Sequence, residues 1–105
     1  MILEERRYTL IPGGVAQYIA QYHALGRASQ ERHLGPMMGC FQSEVGDLNQ
    51  LVFLWRYESL ADREVRRAAL MADPQFAEFR KGVRALLVRQ ENCILRTVVF
   101  PAAKQ

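Results

Sequence analysis

The run Leu51-Val52-Phe53-Leu54-Trp55-Arg56-Tyr57 constrains the fold more than any other stretch of the chain. Successive side chains of a strand point to opposite faces. One face therefore carries Leu51, Phe53, Trp55 and Tyr57, and the other Val52, Leu54 and Arg56. Both are mostly apolar, so both need cover. The chain has 105 residues, which predicts a single domain over 1–105. A domain of this size has enough helix to cover one face of a sheet. A large exposed apolar patch is unusual on a monomer, and the cheapest cover for the second face is the same sheet of another copy. The expectation is a homodimer packed through the sheet face.

The residues flanking this strand say how the chain enters and leaves it. Gly46-Asp47-Leu48-Asn49 holds turn formers: Gly46 adopts positive φ at little cost, and Asp47 and Asn49 can bond their own backbone. With β-prone residues on both sides, a hairpin is the simplest reading. Beyond the strand, Ser59 caps a helix, with Asp62 three residues later in the place of a capping-box acid. That helix extends to about Met71 and presents Arg63, Arg66 and Arg67, of which Arg63 and Arg67 share a face.

From the N-terminus, Ile2–Leu10 reads as a strand whose charged Glu4–Arg7 is either exposed or paired, and Pro12-Gly13-Gly14 ends it. A helix is expected from about Gly14 to His33, with Val15, Tyr18, Ile19, Tyr22 and Leu25 on its apolar face and Gln30 on its polar side. Gly35-Pro36 stops it. Met37–Val45 reads as a second strand, and Gly39 within it suggests a bulge or a close approach. Asp73-Pro74 opens a fresh helical segment, an acid cap followed by proline at the first helical position. Phe76, Phe79, Val83, Leu86 and Leu87 mark its apolar face. Asn92–Phe100 reads as the last strand, Pro101 ends it, and residues 102–105 are expected to fray. Strand, helix, strand, strand, broken helix, strand is the α+β, ferredoxin-like βαββαβ order with an antiparallel sheet.

Charge and composition exclude several classes. The net charge is +3, and arginines are interleaved with acids, as in Glu4-Glu5-Arg6-Arg7. Such interleaving suits a solvated or ion-paired face better than a nucleic-acid stripe. No apolar run is long enough to span a membrane, and the N-terminal residues lack the apolar stretch of a signal peptide, so a cytoplasmic location is the default. Cys40 and Cys93 have no metal-site spacing, and a disulfide between them would need adjacent strands. His23 reads as a boundary surface residue and His33 as a partner of the helix C-terminus. No Ser/His/Asp set, phosphate loop or metal-spaced carboxylate pair is present, so no catalytic residue and no cofactor is assigned.

Glu5-Arg6-Arg7-Tyr8 followed by Pro12-Gly13, then Gly39 and Phe41, Glu44-Val45-Gly46 with Leu48-Asn49, Leu54-Trp55-Arg56-Tyr57, and finally Arg63 and Arg67 together resemble the NIPSNAP family, within the dimeric α+β barrel group. The resemblance covers nearly the whole chain and is most specific from Glu44 to Arg67. It implies a ferredoxin-like subunit whose sheet packs on a partner's sheet, without an established catalytic activity. Where the family often carries a histidine two residues before the tryptophan, this chain has Phe53, so no role of that histidine carries over. Larger members are associated with mitochondria and vesicle-related processes; a short chain of this kind looks more like a bacterial member.

Three functional readings follow. The first is a binding domain for a small aromatic or anionic ligand in the cleft between sheet and helices, with Trp55, Tyr57, Arg63, Arg67 and Glu44 as candidate ligand-binding residues. Against it stands a purely structural role, with Trp55 in the core and Arg63 or Arg67 paired to Glu44 or Glu5. The second is a cofactor-independent monooxygenase or isomerase, or a haem-handling protein, suggested by related barrels and by nothing in the residues themselves. The third is a non-catalytic interaction module that acts by dimerising.

Overall fold

The computed structural model describes residues 1–103. The expected frayed end at 102–105 therefore lies partly outside the described residues. The elements are β1 (Ile2–Leu10), α1 (Gly14–Gln21), a π-helical turn (Tyr22–Gly26), α2 (Arg27–Leu34), β2 (Gly39–Gln42), β3 (Gln50–Tyr57), α3 (Leu60–Met71), α4 (Pro74–Val83), a short 3-10 turn (Arg84–Leu86) and β4 (Leu87–Arg96). One antiparallel sheet runs in the order β2-β3-β1-β4. This is the ferredoxin-like α+β arrangement that the order of elements predicts.

β1 lies at the centre and pairs Ile2 with Tyr57, Glu4 with Trp55, Arg6 with Phe53 and Tyr8 with Leu51. Residues opposite one another share a face, so these eight point towards the helices. Leu51, Phe53, Trp55 and Tyr57 are all 2% exposed or less. Above them sits an aromatic cluster. The Tyr22 and Phe53 ring centroids are 5.2 Å apart, and Tyr18 meets Phe79 edge-on at 5.5 Å. These offset and edge-to-face contacts add to the burial itself.

The opposite face of the sheet carries Leu3, Val52, Leu54, Phe41 and Leu95 around the ion pair of Glu5 and Arg7 (3.1 Å). Phe41 is 57% exposed in the single chain, while Val52 and Leu54 are half-buried.

The local signals at the helix starts are realised. Ser59 Oγ accepts from the Asp62 N–H, and Asp62 reaches back to the Glu58 N–H. Asp73 accepts from the Gln75 N–H, with Pro74 in the first turn of α4. Gly46 (φ 97°) and Asn49 (φ 62°) take left-handed conformations in the β2–β3 connection, which only glycine and a few polar residues do easily.

Three expectations need correction. β2 is shorter than Met37–Val45, because its ladder with β3 ends at Gln42 opposite Leu51. β4 begins at Leu87 and ends at Arg96, not Asn92–Phe100; β1 has no residue described in its ladder beyond Ile2 to pair with Thr97 and later. Val98, Val99 and Phe100 are consequently exposed. On the first helical segment, Ile19 and Leu25 are exposed and Gln30 is buried. The core face is Val15, as expected, followed by Tyr18, Tyr22, Gly26, Gln30 and Leu34, which keep a strict four-residue spacing. An α-helix drifts off one face at that spacing, and the π-helical turn, which takes more residues per turn, absorbs the drift. Cys40 and Cys93 each fall in a strand as read, exposed on β2 and β4 at opposite edges of the sheet, so the strands are not adjacent and the condition for a disulfide is not met.

Candidate functional site

A cavity of about 140 Å³ opens between the helix-facing side of β1 and the pair α3–α4. Its position follows from β1, where Arg6 and Tyr8 replace the apolar side chains that β3 puts on the same face. Helix packing cannot close over a guanidinium as it does over leucine. Tyr18 and Phe79 supply aromatic wall, and Arg67 enters from α3. Arg80 and Arg84, both exposed, stand at the opening.

Below the cavity lies a buried charge network. Glu4 is fully buried, and its Oε2 accepts from Arg6 (3.2 Å), from Nε and one terminal nitrogen of Arg63 (3.1 and 2.7 Å) and from Asn92 (3.1 Å). Burial pushes the Glu4 carboxyl up, but the bonds from Arg63 and Asn92 and the charge of Arg6 outweigh it and hold it below the usual carboxylate value. Arg6 also donates to the Tyr8 hydroxyl at 2.8 Å. That leaves the Tyr8 proton to be directed elsewhere. Three buried polar atoms have no hydrogen-bond partner among the described residues: Glu4 Oε1, Trp55 Nε1 and the Tyr57 hydroxyl.

Arg67 differs from its neighbours. It makes no ion pair among the described residues. Burial and the nearby Arg6 guanidinium push it below the ordinary arginine value, although an arginine remains charged at physiological pH. Burial, with help from nearby Tyr8 and Tyr22, drives the Tyr18 phenol well above its usual value, so it stays protonated. The cavity thus offers guanidinium cations and phenol donors over an aromatic wall. No carboxylate, imidazole or thiol of the described residues lines it, so it supplies no obvious general base. Among the described residues, no group of three or more His, Cys, Asp or Glu side chains could hold a metal ion. No helix among them is long and apolar enough to cross a membrane.

Of the five candidate residues, the structure brings only Arg67 to this cavity. Trp55 and Tyr57 are 0% and 1% exposed and belong to the core. Arg63 is paired with Glu4, not with Glu44 or Glu5. Glu44 is exposed in the β2–β3 connection, makes no ion pair or side-chain hydrogen bond among the described residues, and lies outside the cavity. Arg6, Tyr8, Tyr18, Arg80 and Arg84 were not among the candidates. Two signals in the chain point to them. Arg80 and Arg84 lie four apart beside the apolar positions Phe79 and Val83. Arg6 and Tyr8 alternate with Glu4 on one side of β1. His23 is exposed as expected, whereas His33 turns to Asp73 (2.8 Å).

The NIPSNAP family model matches residues 3–102. A NIPSNAP family protein of Agrobacterium tumefaciens is 39% identical in its solved structure, which superposes with a TM-score of 0.91 over 96% of this chain and 91% of that one. A NIPSNAP-like domain protein of Burkholderia xenovorans is 43% identical, with a TM-score of 0.89 over 97% of this chain and 89% of its own. A NipSnap homolog of Dictyostelium discoideum is 34% identical over 77 residues, which are 73% of this chain and 34% of that protein. The chain thus spans about a third of the length of that curated relative.

Proposed function

The chain belongs to the NIPSNAP family, and from that footing we propose that it is a small homodimeric protein that binds an anionic ligand with an aromatic or apolar body in the cleft between sheet and helices. The observation that carries this reading is Arg67. It is a partly buried guanidinium beside a second one, Arg6, in a cavity walled by aromatic rings; it makes no ion pair among the described residues, and the Glu4 carboxylate near it is bonded by Arg6 and Arg63 instead. Placing two cations side by side costs energy, and a bound carboxylate or phosphate would recover it through charge-assisted hydrogen bonds. The Tyr18 hydroxyl makes no hydrogen bond in the described chain and adds a donor at the same place.

The lining favours binding over turnover, because it presents cations and donors without a base. Support for the homodimer comes from the outer sheet face, where Val52, Leu54, Phe41, Leu3 and Leu95 form an apolar surface that no helix among the described residues covers.

A thermal-shift screen of aromatic and aliphatic acids tests the ligand reading. A hit is expected to raise the melting temperature of the wild type. In Arg67→Ala its affinity should fall about ten- to a hundredfold, the effect of losing hydrogen bonds to a charged group. An equal response in the variant, or no response to any acid, would remove the reading.

A further inference from the structure

We propose that the ligand carries two anionic groups at the ends of a short apolar linker, one held by Arg6 and Arg67 inside the cavity and the other by Arg80 and Arg84 at its mouth. This deepens the reading of the cavity as an anion site and rests on it.

The argument starts from charge. Arg80 and Arg84 are four residues apart across the end of α4, so their side chains share a face. Like charges at this spacing destabilise a helix unless something lies between them. No ion pair is made by either one among the described residues. The inner pair repeats the pattern. Arg6 shares the single Glu4 carboxylate with Arg63, and Arg67 pairs with none among the described residues. One negative charge cannot face both pairs at once, because they sit at different depths: the Arg6 side chain is 13% exposed, while Arg80 and Arg84 are open to solvent.

The wall between the pairs is apolar, formed by Phe79 and Val83, whose side chains are buried next to the two outer arginines in sequence. Its size sets the linker. A cavity of about 150 Å³ accommodates one benzene ring, and the volume here is about 140 Å³. A single aromatic ring or a short aliphatic chain therefore fits between the charges.

Isothermal titration of the full chain at low salt tests this with matched probes: terephthalate against benzoate, and adipate against hexanoate. Each dianion is expected to bind at least about tenfold tighter than its monoanion. Its affinity should also fall more steeply with added salt. Arg80→Gln/Arg84→Gln should bring each dianion close to the level of its monoanion, the monoanions weakening much less than the dianions. Arg67→Gln should weaken both classes. Equal affinity of dianion and monoanion in the wild type would overturn the two-ended ligand while leaving the anion site standing. A preference retained in the double variant would overturn the outer pair's role. Phenyl phosphate, with both charges at one end, binding more tightly than terephthalate would also overturn it. Binding by none of the probes would overturn both readings. The two substituted positions are exposed, so the variants should fold, and their circular dichroism should match that of the wild type.

Discussion

Substituting glutamine for Glu4 keeps the shape of the side chain and removes its charge. Of the four hydrogen bonds to Oε2, three come from guanidinium nitrogens of Arg6 and Arg63. A hydrogen bond to a charged group contributes about 1 kcal/mol more than a neutral one. The substitution should therefore cost about 3 kcal/mol at neutral pH, the lower end of what breaking a buried ion pair usually costs. With a urea dependence of about 1.5 kcal/mol per molar, the unfolding midpoint falls by about 2 M. Trp55 is the one tryptophan and is fully buried, so its fluorescence reports the transition directly. Protein concentration is held fixed, because self-association would shift the apparent stability.

The pH dependence gives the sharper check. The folded-state value of Glu4 lies below the ordinary one, so its contribution is complete above the unfolded value of about 4.3. It is lost as the pH falls through the folded value. The difference between wild type and Glu4→Gln should be largest at neutral pH and shrink in strong acid. A midpoint within about 0.3 M of wild type at neutral pH, or a penalty as large in acid, would refute the claim that Glu4 works as a buried carboxylate.

Other consequences follow from the packing. A Cβ on Gly26 would stand 2.9 Å from both the Phe79 and Tyr22 rings; Gly26→Ala should cost about 1–3 kcal/mol, and an unchanged melting temperature would show that the rings give way. Asp73 accepts from Arg32 and His33, which hold it far below the usual carboxylate value. Asp73→Asn keeps the helix cap and should lower the melting temperature at neutral pH, with the gap closing as the pH falls below the unfolded carboxylate value of about 3.9 toward the lower folded one; a gap that does not vary with pH would remove the ionic role. Light scattering of the wild type should give twice the chain mass, and Phe41→Glu/Leu54→Glu the mass of one chain; a wild-type monomer, or an undiminished mass in the variant, would count against the sheet-face dimer.

What could be read from the sequence is what depends on near neighbours. Ser59 with Asp62, and Asp73 with Pro74, announce helix starts because the groups they satisfy lie within a few residues. The alternation in Leu51–Tyr57 sorts its side chains into two faces because period two is intrinsic to a strand; which of the two meets the helices shows only in the structure, where Leu51, Phe53, Trp55 and Tyr57 are buried. The limits of β4 were not legible, because they are set by pairing with β1 some eighty positions away in sequence. Val98, Val99 and Phe100 have the chemistry of a strand and lack a rung to pair with. The site was mostly hidden for a similar reason. Arg63 and Arg67 look equivalent in sequence, yet Glu4 forms an ion pair with the first, while the second makes none among the described residues. Only the meeting of β1 with α3 makes that distinction.

The π-helical turn between Gln21 and Arg27 has a bearing on chain length. It stores one residue more than regular winding would need, and both flanking helices keep their seats on the sheet. Excising a residue such as Ala24 would let the backbone relax into an uninterrupted spiral while Tyr18 and Leu34 stay where they are. At this place the protein can therefore change its count by one, and sequences of differing length can share one floor.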